Sequence, residues 1–266
     1  GATLYDTAGN HDATVSGLSL PGDSETGVID NAIHFYHGDH ANAGNITELQ
    51  GAAQATLSAW IRRENVSNRV RVGKNGDSDT DTFTIDLSGS EVSFKIGVSF
   101  NQMGFITLDD TSWHHFALVF DGTQTTDSDK LKGYVDGVEQ SLTIWGDPLP
   151  SSLSSATGDF LIGNSYDHPG SNGHVDDVRI YDRALSAAEI RQLSKGMDWV
   201  TTGPDPCGCD PSPGDVCADG SFYIGEHDGH RIYAAATDQP TLLQWSSEAG
   251  INTGAISPDD GLSNTN

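Results

Sequence analysis

The stretch that decides the fold lies between Phe105 and Leu193. It reads FITLDDTSWHHFALVFDG at 105–122, LKGYVDGVE at 131–139 and FLIGNSYDHPGSNGHVDDVRIYDRALSAAEIRQL at 160–193. Short runs of β-branched and aromatic residues are separated by Asp-Gly and Gly-Asn turns, which is the pattern of successive antiparallel strands. The stretch therefore predicts a protein built mainly from short β-strands.

One segment near the end of this stretch departs from the strand period of two. Ser186 is followed three residues later by Glu189, which is the capping box that begins a helix. Gly196 fits the position just after the helix end. We expect one short helix, with Leu185, Ile190 and Leu193 as its buried side chains.

A family resemblance rests on four segments: Trp113–His115 with Asp121-Gly122, Tyr134–Gly137, Ile162–Asn164, and Val175–Ser186. In order and spacing they resemble the laminin-G-like branch of the concanavalin A-like jelly rolls. The resemblance implies an all-β, two-sheet antiparallel jelly-roll sandwich with one short C-terminal helix. It also implies a protein that binds glycans or other surfaces and seldom catalyses a reaction.

Three units are predicted along the chain. Residues 1–200 form the laminin-G-like domain, and residues 201–217 form a Cys/Pro-rich linker, since proline resists regular structure. Residues 218–266 form a small β-rich unit that weakly resembles modules found beside bacterial and viral adhesins and tail fibres. Relatives usually begin with an extra strand, and no closing apolar strand precedes Asn266. We therefore expect both ends to be cuts and the C-terminal unit to be truncated.

The net charge of the chain limits the classes of molecule that it can bind. Thirteen Lys and Arg stand against 38 Asp and Glu, which gives a formal net charge of −25. Phosphates are repelled by such a field, so nucleic acid is excluded as a partner. Membrane insertion is not expected either, because no apolar run is long enough to span a bilayer. Of the acidic residues 30 are Asp, which favours loops. They form either a solvated acidic surface or a set of Ca²⁺ ligands.

The strongest local acidic cluster is Asp77, Asp79 and Asp81. Their alternate spacing lets three carboxylates converge on Ca²⁺ if the loop curls, although the glycine and the distal Glu of an EF-hand loop are missing.

A second candidate set follows from the family resemblance. Asp6, Asn10 and Asp12 lie in the first turn and Asp176 in the last strand, two parts that come close together in resembling domains. A buried carboxylate needs partners. Asp176 is therefore either hydrogen-bonded structurally or a Ca²⁺ ligand.

All three cysteines, Cys207, Cys209 and Cys217, lie in the linker. One disulfide, either Cys207–Cys217 or Cys209–Cys217, leaves one thiol without a partner among these three. A zinc site normally needs four ligands, and no His has finger spacing to these residues. We therefore expect an oxidised, extracellular linker.

Sugar binding requires an exposed aromatic ring beside polar groups. Trp145 lies in a segment with the composition of a loop, and so do Tyr166 and His168, which makes these three the candidate ligand-binding residues. For Trp145, simple packing is the alternative. Trp60 and Trp113 lie in alternating strands and are expected in the core.

No catalytic constellation is recognised in the chain. Jelly-roll glycosidases place carboxylates at alternate positions of one strand, so that they share a groove. Glu226-His227-Asp228 has only the first half of that pattern, and no Gly-x-Ser-x-Gly nucleophile motif is present. We therefore expect no enzymatic activity.

Three functions remain as hypotheses. The first is a non-catalytic, Ca²⁺-supported module that binds glycan or another surface polymer, within a larger extracellular, cell-surface or virion-surface protein. The second is a structural decoration or spacer domain that contacts other protein subunits of an assembly. The third is a polysaccharide-active enzyme with an unrecognised site.

Overall fold

A computed structural model of the chain describes residues 2–7, 11–75, 82–97, 102–163, 172–195, 222–227, 230–234 and 242–246. In these ranges the strands are β1 Thr3–Asp6, β2 Ala13–Ser16, β3 Ser24–Thr26, β4 Asn31–Phe35, β5 His40–Asn45, β6 Gln54–Arg63, β7 Val70–Asn75, β8 Thr82–Ser88, β9 Glu91–Gly97, β10 Met103–Thr107, β11 His114–Asp121, β12 Leu131–Val135, β13 Val138–Glu139, β14 Thr143–Trp145, β15 Asp159–Gly163, β16 Gly173–Tyr181, β17 Phe222–His227, β18 His230–Ala234 and β19 Leu242–Ser246. The helices are α1 Asp127–Lys130, α2 Ala187–Leu193 and a single 3-10 turn at Thr47–Leu49.

The strands of the main domain form two antiparallel sheets. Sheet A has the order β1–β2–β5–β15–β7–β8–β9–β10–β14. Sheet B has the order β1–β19–β16–β6–β11–β12–β13, and the β3–β4 hairpin pairs with the first part of β16. This two-sheet arrangement confirms the predicted jelly-roll sandwich.

The core lies between the two sheets because alternate residues of each strand point inward. In sheet A the inward row includes Phe94, Ile85, Val72 and Ile162, which lie opposite one another across four strands. Sheet B supplies residues such as Phe116 to the same cluster. These side chains are almost fully buried, so apolar burial holds the sheets together.

A second apolar cluster fixes α2 on the outer face of sheet B. It contains Ala117, Val119, Tyr134, Tyr181, Leu185, Ile190 and Leu193. The capping box is confirmed: the Glu189 amide donates to Ser186 Oγ, and the Ser186 amide donates to Glu189 Oε2 at 2.8 Å. The four-residue α1, which begins after its N-cap Thr126, was not expected from the sequence.

Two tryptophans expected in the core lie elsewhere. Trp60 is half-buried on the outer face of sheet B, because β6 turns its alternate residues Ala59 and Ile61 inward. Trp113 precedes β11 and is also half-buried. The prediction for these two residues was wrong, since alternation defines two faces without identifying the one that meets the core.

The C-terminal region contributes strands of its own. β17 and β18 form an antiparallel hairpin, and β19 pairs with both β1 and β16 in sheet B. The predicted boundaries at 200 and 217 stay a prediction. Among the described residues, no helix is both long and apolar enough to cross a membrane.

Candidate functional site

The outer face of sheet A gathers most of the surface features that suit a ligand. Residues paired in register point to the same side of a sheet. Trp145, Met103, Lys95 and Thr84 are opposite one another in successive strands and therefore form one outward row. The neighbouring outward row contains Thr143, Phe105, Ser93, Asp86 and Arg71.

Trp145 is the exposed aromatic residue of this face. It is the last residue of β14, directly opposite Met103, and 55% of its surface is accessible. Phe105 is diagonal to it and half-buried, at the about 7–8 Å spacing of diagonal neighbours in a sheet. The sequence suggested a loop here, but the pairing with β10 makes this segment a strand, which fixes the outward direction of the indole.

A buried carboxylate with three cations lies near the centre of the same face. Asp86 is 1% exposed and accepts two hydrogen bonds from Arg69, Nε to Oδ1 at 2.9 Å and Nη2 to Oδ2 at 2.5 Å. Lys95 Nζ is 2.6 Å and Arg71 Nη2 3.5 Å from Oδ2. Although burial opposes ionisation, the hydrogen bonds from Arg69 and the charges of Lys95 and Arg71 hold the pKa of Asp86 well below its usual range.

This charge cluster has a chemical consequence. A general acid must keep a proton near neutral pH, which requires a raised pKa. Asp86 has the opposite shift, so it is unsuited to protonate a glycosidic oxygen. The cluster instead provides fixed polar groups beside the aromatic row.

The opposite end of the same face holds an open polar depression. It is lined by Asp12, Thr14, Ser16, His40, Asn42 and Asp159, among others. The Asn42 side-chain amide donates to Asp159 Oδ2 at 2.8 Å, and the Gly44 amide donates to Asn42 Oδ1 at 2.7 Å. Six strand spacings separate Asn42 from Trp145 along the row, or about 29 Å. The two places are therefore distinct parts of one face.

Two of the candidate Ca²⁺ residues organise the first turn. The Asp6 amide donates to Asp12 Oδ1 at 2.9 Å, and the His11 amide donates to Asp6 Oδ2 at 3.1 Å. The two carboxylates thus hydrogen-bond backbone groups that the turn leaves unpaired.

Asp176 lies apart from that turn. β19 is inserted between β1 and β16, with Trp245 opposite both Asp6 and Val178. Two strand spacings of about 4.8 Å place the backbones of Asp6 and Val178 about 10 Å apart, and Asp176 lies farther along β16. A Ca²⁺ site shared by Asp6 and Asp176 stays a prediction.

Asp176 has a local role instead. The amides of Val28 and Ile29 both donate to its Oδ2 at 2.8 Å, which holds the turn of the β3–β4 hairpin against β16. Burial, with a smaller contribution from neighbouring Asp177, raises the pKa of Asp176 to about 7 despite these amide donors. The sequence left two roles open for Asp176, a structural hydrogen-bond acceptor or a Ca²⁺ ligand. The geometry supports the structural role, and ligation of Ca²⁺ by Oδ1 stays a prediction.

Several predicted site residues lie outside the described residues. These are Asp77, Asp79, Asp81, Asn10, Tyr166, His168, Cys207, Cys209 and Cys217. Their assignments as Ca²⁺ ligands, ligand contacts and disulfide partners stay predictions.

Sequence reasoning missed the neighbours of Trp145. Met103 and Phe105 alternate in β10 as Thr143 and Trp145 do in β14, a period-two signal that is visible in the sequence. The pairing of β10 with β14 joins residues about 40 positions apart, and no local signal specifies it.

Comparison with known proteins agrees with this architecture. A laminin-G-type sequence model, described as the concanavalin A-like lectin/glucanases superfamily, matches residues 36–191. Usherin of Rattus norvegicus is 25% identical over 179 residues, which is 62% of this chain and 3% of that protein. The chain therefore spans a very small part of the curated relative that it matches.

Two solved structures are similar to the chain at low sequence identity. A sialidase of Trypanosoma rangeli, solved in complex with sialic acid, has a TM-score of 0.50 and 17% identity and covers 76% of this chain and 33% of the sialidase. A heptameric SAP-like pentraxin of Limulus polyphemus has a TM-score of 0.48 and 16% identity, covering 64% of this chain and 84% of the pentraxin. At these identities the likeness concerns the fold alone.

Proposed function

Since the chain belongs to the concanavalin A-like lectin/glucanase superfamily, we propose that it is a non-catalytic carbohydrate-binding module. The observation that carries the proposal is the exposed Trp145 on the outer face of sheet A, with Met103 opposite and Phe105 diagonal. Sugar CH groups stack on an indole face, while the ring edge and nearby polar groups take hydrogen bonds.

Polar groups beside Trp145 suit the hydroxyls of a sugar. Lys95 lies one strand beyond Met103 with its ammonium on Asp86 Oδ2, and its side chain is 21% exposed. Thr143 precedes the indole by two residues on the same face. The net charge of −25 repels polyanions, so neutral glycans are the ligands that we expect.

The absence of catalysis is part of the proposal. Glycoside hydrolysis uses a carboxylic acid with a raised pKa beside a second carboxylate. On the described outer face of sheet A, the most buried carboxylate is Asp86, whose pKa is lowered by three cations. Incubating the chain with neutral polysaccharides and measuring reducing ends tests this point, and a steady release of sugar would contradict it.

The test of binding uses a glycan array that holds neutral and acidic oligosaccharides, followed by affinity electrophoresis through gels containing the polysaccharide of the best array signal. We expect a signal on neutral glycans and retardation in the gel. Trp145→Ala should lose the retardation, because the stacking surface is removed.

The matched control is Tyr36→Ala, which removes an exposed aromatic residue that directly follows β4 of sheet B. It should keep the retardation. A chain that binds no glycan, or a Trp145→Ala variant that binds like the parent, would overturn the proposal. If the chain then elutes as a regular oligomer, the spacer hypothesis replaces it.

Calcium support and an extracellular or surface location complete the proposal. The candidate Ca²⁺ ligands are Asp6, Asn10 and Asp176, or the Asp77, Asp79 and Asp81 loop. Melting of metal-stripped protein with Ca²⁺ and, separately, Mg²⁺ tests this, since a ligand of the folded state raises the Tm. No rise with Ca²⁺ would remove calcium from the proposal.

A further inference from the structure

A cluster of two histidines and one glutamate lies on the outer face of sheet B, far from the features of sheet A. His174 of β16 is directly opposite His34 of β4, and Glu25 of β3 lies beside them. One ligand atom from each residue lies within 4.8 Å of the other two. The imidazole rings stack with centroids 3.9 Å apart and planes inclined by 21°. We refer to these three residues as the Glu25–His34–His174 cluster.

His34 presents an unused nitrogen to this cluster. Its Nε2 is 2.8 Å from Asn172 Oδ1, and because an amide oxygen only accepts, Nε2 carries the proton. Nδ1 then has a free lone pair. It makes no hydrogen bond and lies 3.6 Å from Glu25 Oε1, while only 9% of the side chain is exposed. A lone pair that faces a carboxylate at this distance needs a cation between them.

The more buried ring of His174 lies between two carboxylates. Its Nε2 is 3.0 Å from Glu25 Oε2, and its Nδ1 is 3.3 Å from Glu64 Oε1. A neutral imidazole has one N–H and can satisfy only one of two carboxylates. In one tautomer Nε2–H donates to Glu25; in the other, Nδ1–H donates to Glu64 and Nε2 presents its lone pair to Glu25. This carboxylate–histidine arrangement is the usual support of a metal-binding imidazole.

A proton is the competing cation. The side chain of His174 is 1% exposed and lies beside the Arg62 guanidinium, so a second positive charge on the ring is unfavourable. Arg62 Nη2 lies 3.2 Å from Nδ1 and 3.1 Å from Nε2 of His174. Because the two distances are nearly equal, the guanidinium contacts the ring without lying in line with the lone pair of either nitrogen. It is also 3.1 Å from Glu64 Oε1 and 3.9 Å from Glu25 Oε2. These surroundings disfavour an imidazolium at neutral pH.

From this geometry we propose that Glu25, His34 and His174 bind one divalent transition-metal ion of the Zn²⁺ class, through a carboxylate oxygen, Nδ1 and Nε2 respectively. Ligands about 2.1 Å from Zn²⁺ in tetrahedral geometry lie about 3.4 Å from one another. The two imidazole nitrogens lie 3.6 Å from Glu25 Oε1 and 3.0 Å from Glu25 Oε2 respectively, and one ligand atom from each residue lies within 4.8 Å of the other two, so small side-chain movements bring all three to one ion. Imidazole and carboxylate ligands favour Zn²⁺ over Ca²⁺. The site is separate from the proposed glycan contact.

The test is calorimetric titration of metal-stripped protein with Zn²⁺ alone at pH 7.5. We expect one tight equivalent with a micromolar or lower Kd, which millimolar Ca²⁺ does not displace. Glu25→Gln should weaken binding at least 30-fold. It is the decisive variant because Glu25 is an exposed residue whose substitution leaves the fold intact.

Further variants separate this site from other histidines. His37→Gln changes an exposed histidine in the next turn and should bind Zn²⁺ like the parent. Arg62→Gln removes a neighbouring positive charge and should tighten binding several-fold. Co²⁺ absorption bands of tetrahedral intensity should appear in the parent and vanish in Glu25→Gln. Absence of a tight equivalent, or unchanged binding by Glu25→Gln, would overturn the proposal.

Discussion

Arg69 donates two parallel hydrogen bonds to Asp86, from Nε to Oδ1 at 2.9 Å and from Nη2 to Oδ2 at 2.5 Å. This bidentate geometry is the strong form of the arginine–carboxylate pair. Asp86 is also the shared partner of Lys95 and Arg71. The buried carboxylate of Asp86 therefore links three neighbouring strands, β7, β8 and β9, on the outer face of sheet A.

Asp86→Asn should lower the free energy of unfolding by about 3 kcal/mol at pH 7, because it leaves buried cations without their counter-ion. The folded-state pKa of Asp86 is depressed, so its stabilisation is complete above the unfolded pKa of about 3.9 and is lost as the pH falls below it. The difference between parent and variant in urea unfolding should therefore shrink between pH 5 and pH 2. Asp147→Asn, at an exposed position, should change stability little. An equal loss in both variants would contradict the role of the cluster.

Trp145→Ala should lower the free energy of unfolding by no more than about 2 kcal/mol, because just over half of the residue is exposed. Affinity for the best neutral glycan should fall at least tenfold in calorimetry, since a stacked ring is lost. Trp145→Phe keeps a smaller stacking surface and should recover part of the affinity. A variant that loses stability and binding together would point to packing as the role of this residue.

His115 should make the protein sensitive to mild acid. It is fully buried, neither ring nitrogen has a hydrogen-bond partner, and burial with the positive charge of Arg179 lowers its pKa to about 3. Below pH 6.5, His115 binds a proton in the unfolded chain but stays neutral in the folded chain. The free energy of unfolding therefore falls as the pH drops from 6.5 toward 3. The expected loss from this residue at pH 5 is about 2 kcal/mol.

His115→Leu removes this titration. Its stability relative to the parent should improve by about 2 kcal/mol on going from pH 8 to pH 5, measured by urea unfolding at both pH values. His37→Leu, at an exposed site, should show no such change. Parallel pH profiles for parent and His115→Leu would refute the argument.

Ser186→Ala should cost about 1 kcal/mol of stability, because the amide of Glu189 loses its side-chain acceptor at the start of α2. Ser186→Thr keeps a hydroxyl at the cap and should retain most of that stability. The readout is the shift in Tm of purified variants. An alanine variant that melts with the threonine variant would show that packing of Ile190 and Leu193 alone holds the helix.

Much of the fold was predictable because its signals are local. Turn pairs such as Asp136-Gly137 mark strand ends, and the hairpin of β8 and β9 follows from its Ser-Gly-Ser turn. The helix followed from Ser186 and Glu189 in the same way. The faces were harder to predict: Trp60 was expected inside, because alternation alone does not choose between the two sides of a strand.

The sequence by itself determined the all-β class, the jelly-roll family, the capped helix and the acidic charge, since each depends on composition or on residues a few positions apart. Tertiary structure alone decided which side chains meet. Glu25, His34 and His174 come from three strands, whereas Asp86 and Lys95 come from two adjacent strands of the other sheet and Arg69 from the residue before a third. Such clusters depend on strand order and register across long chain separations, which no local spacing encodes.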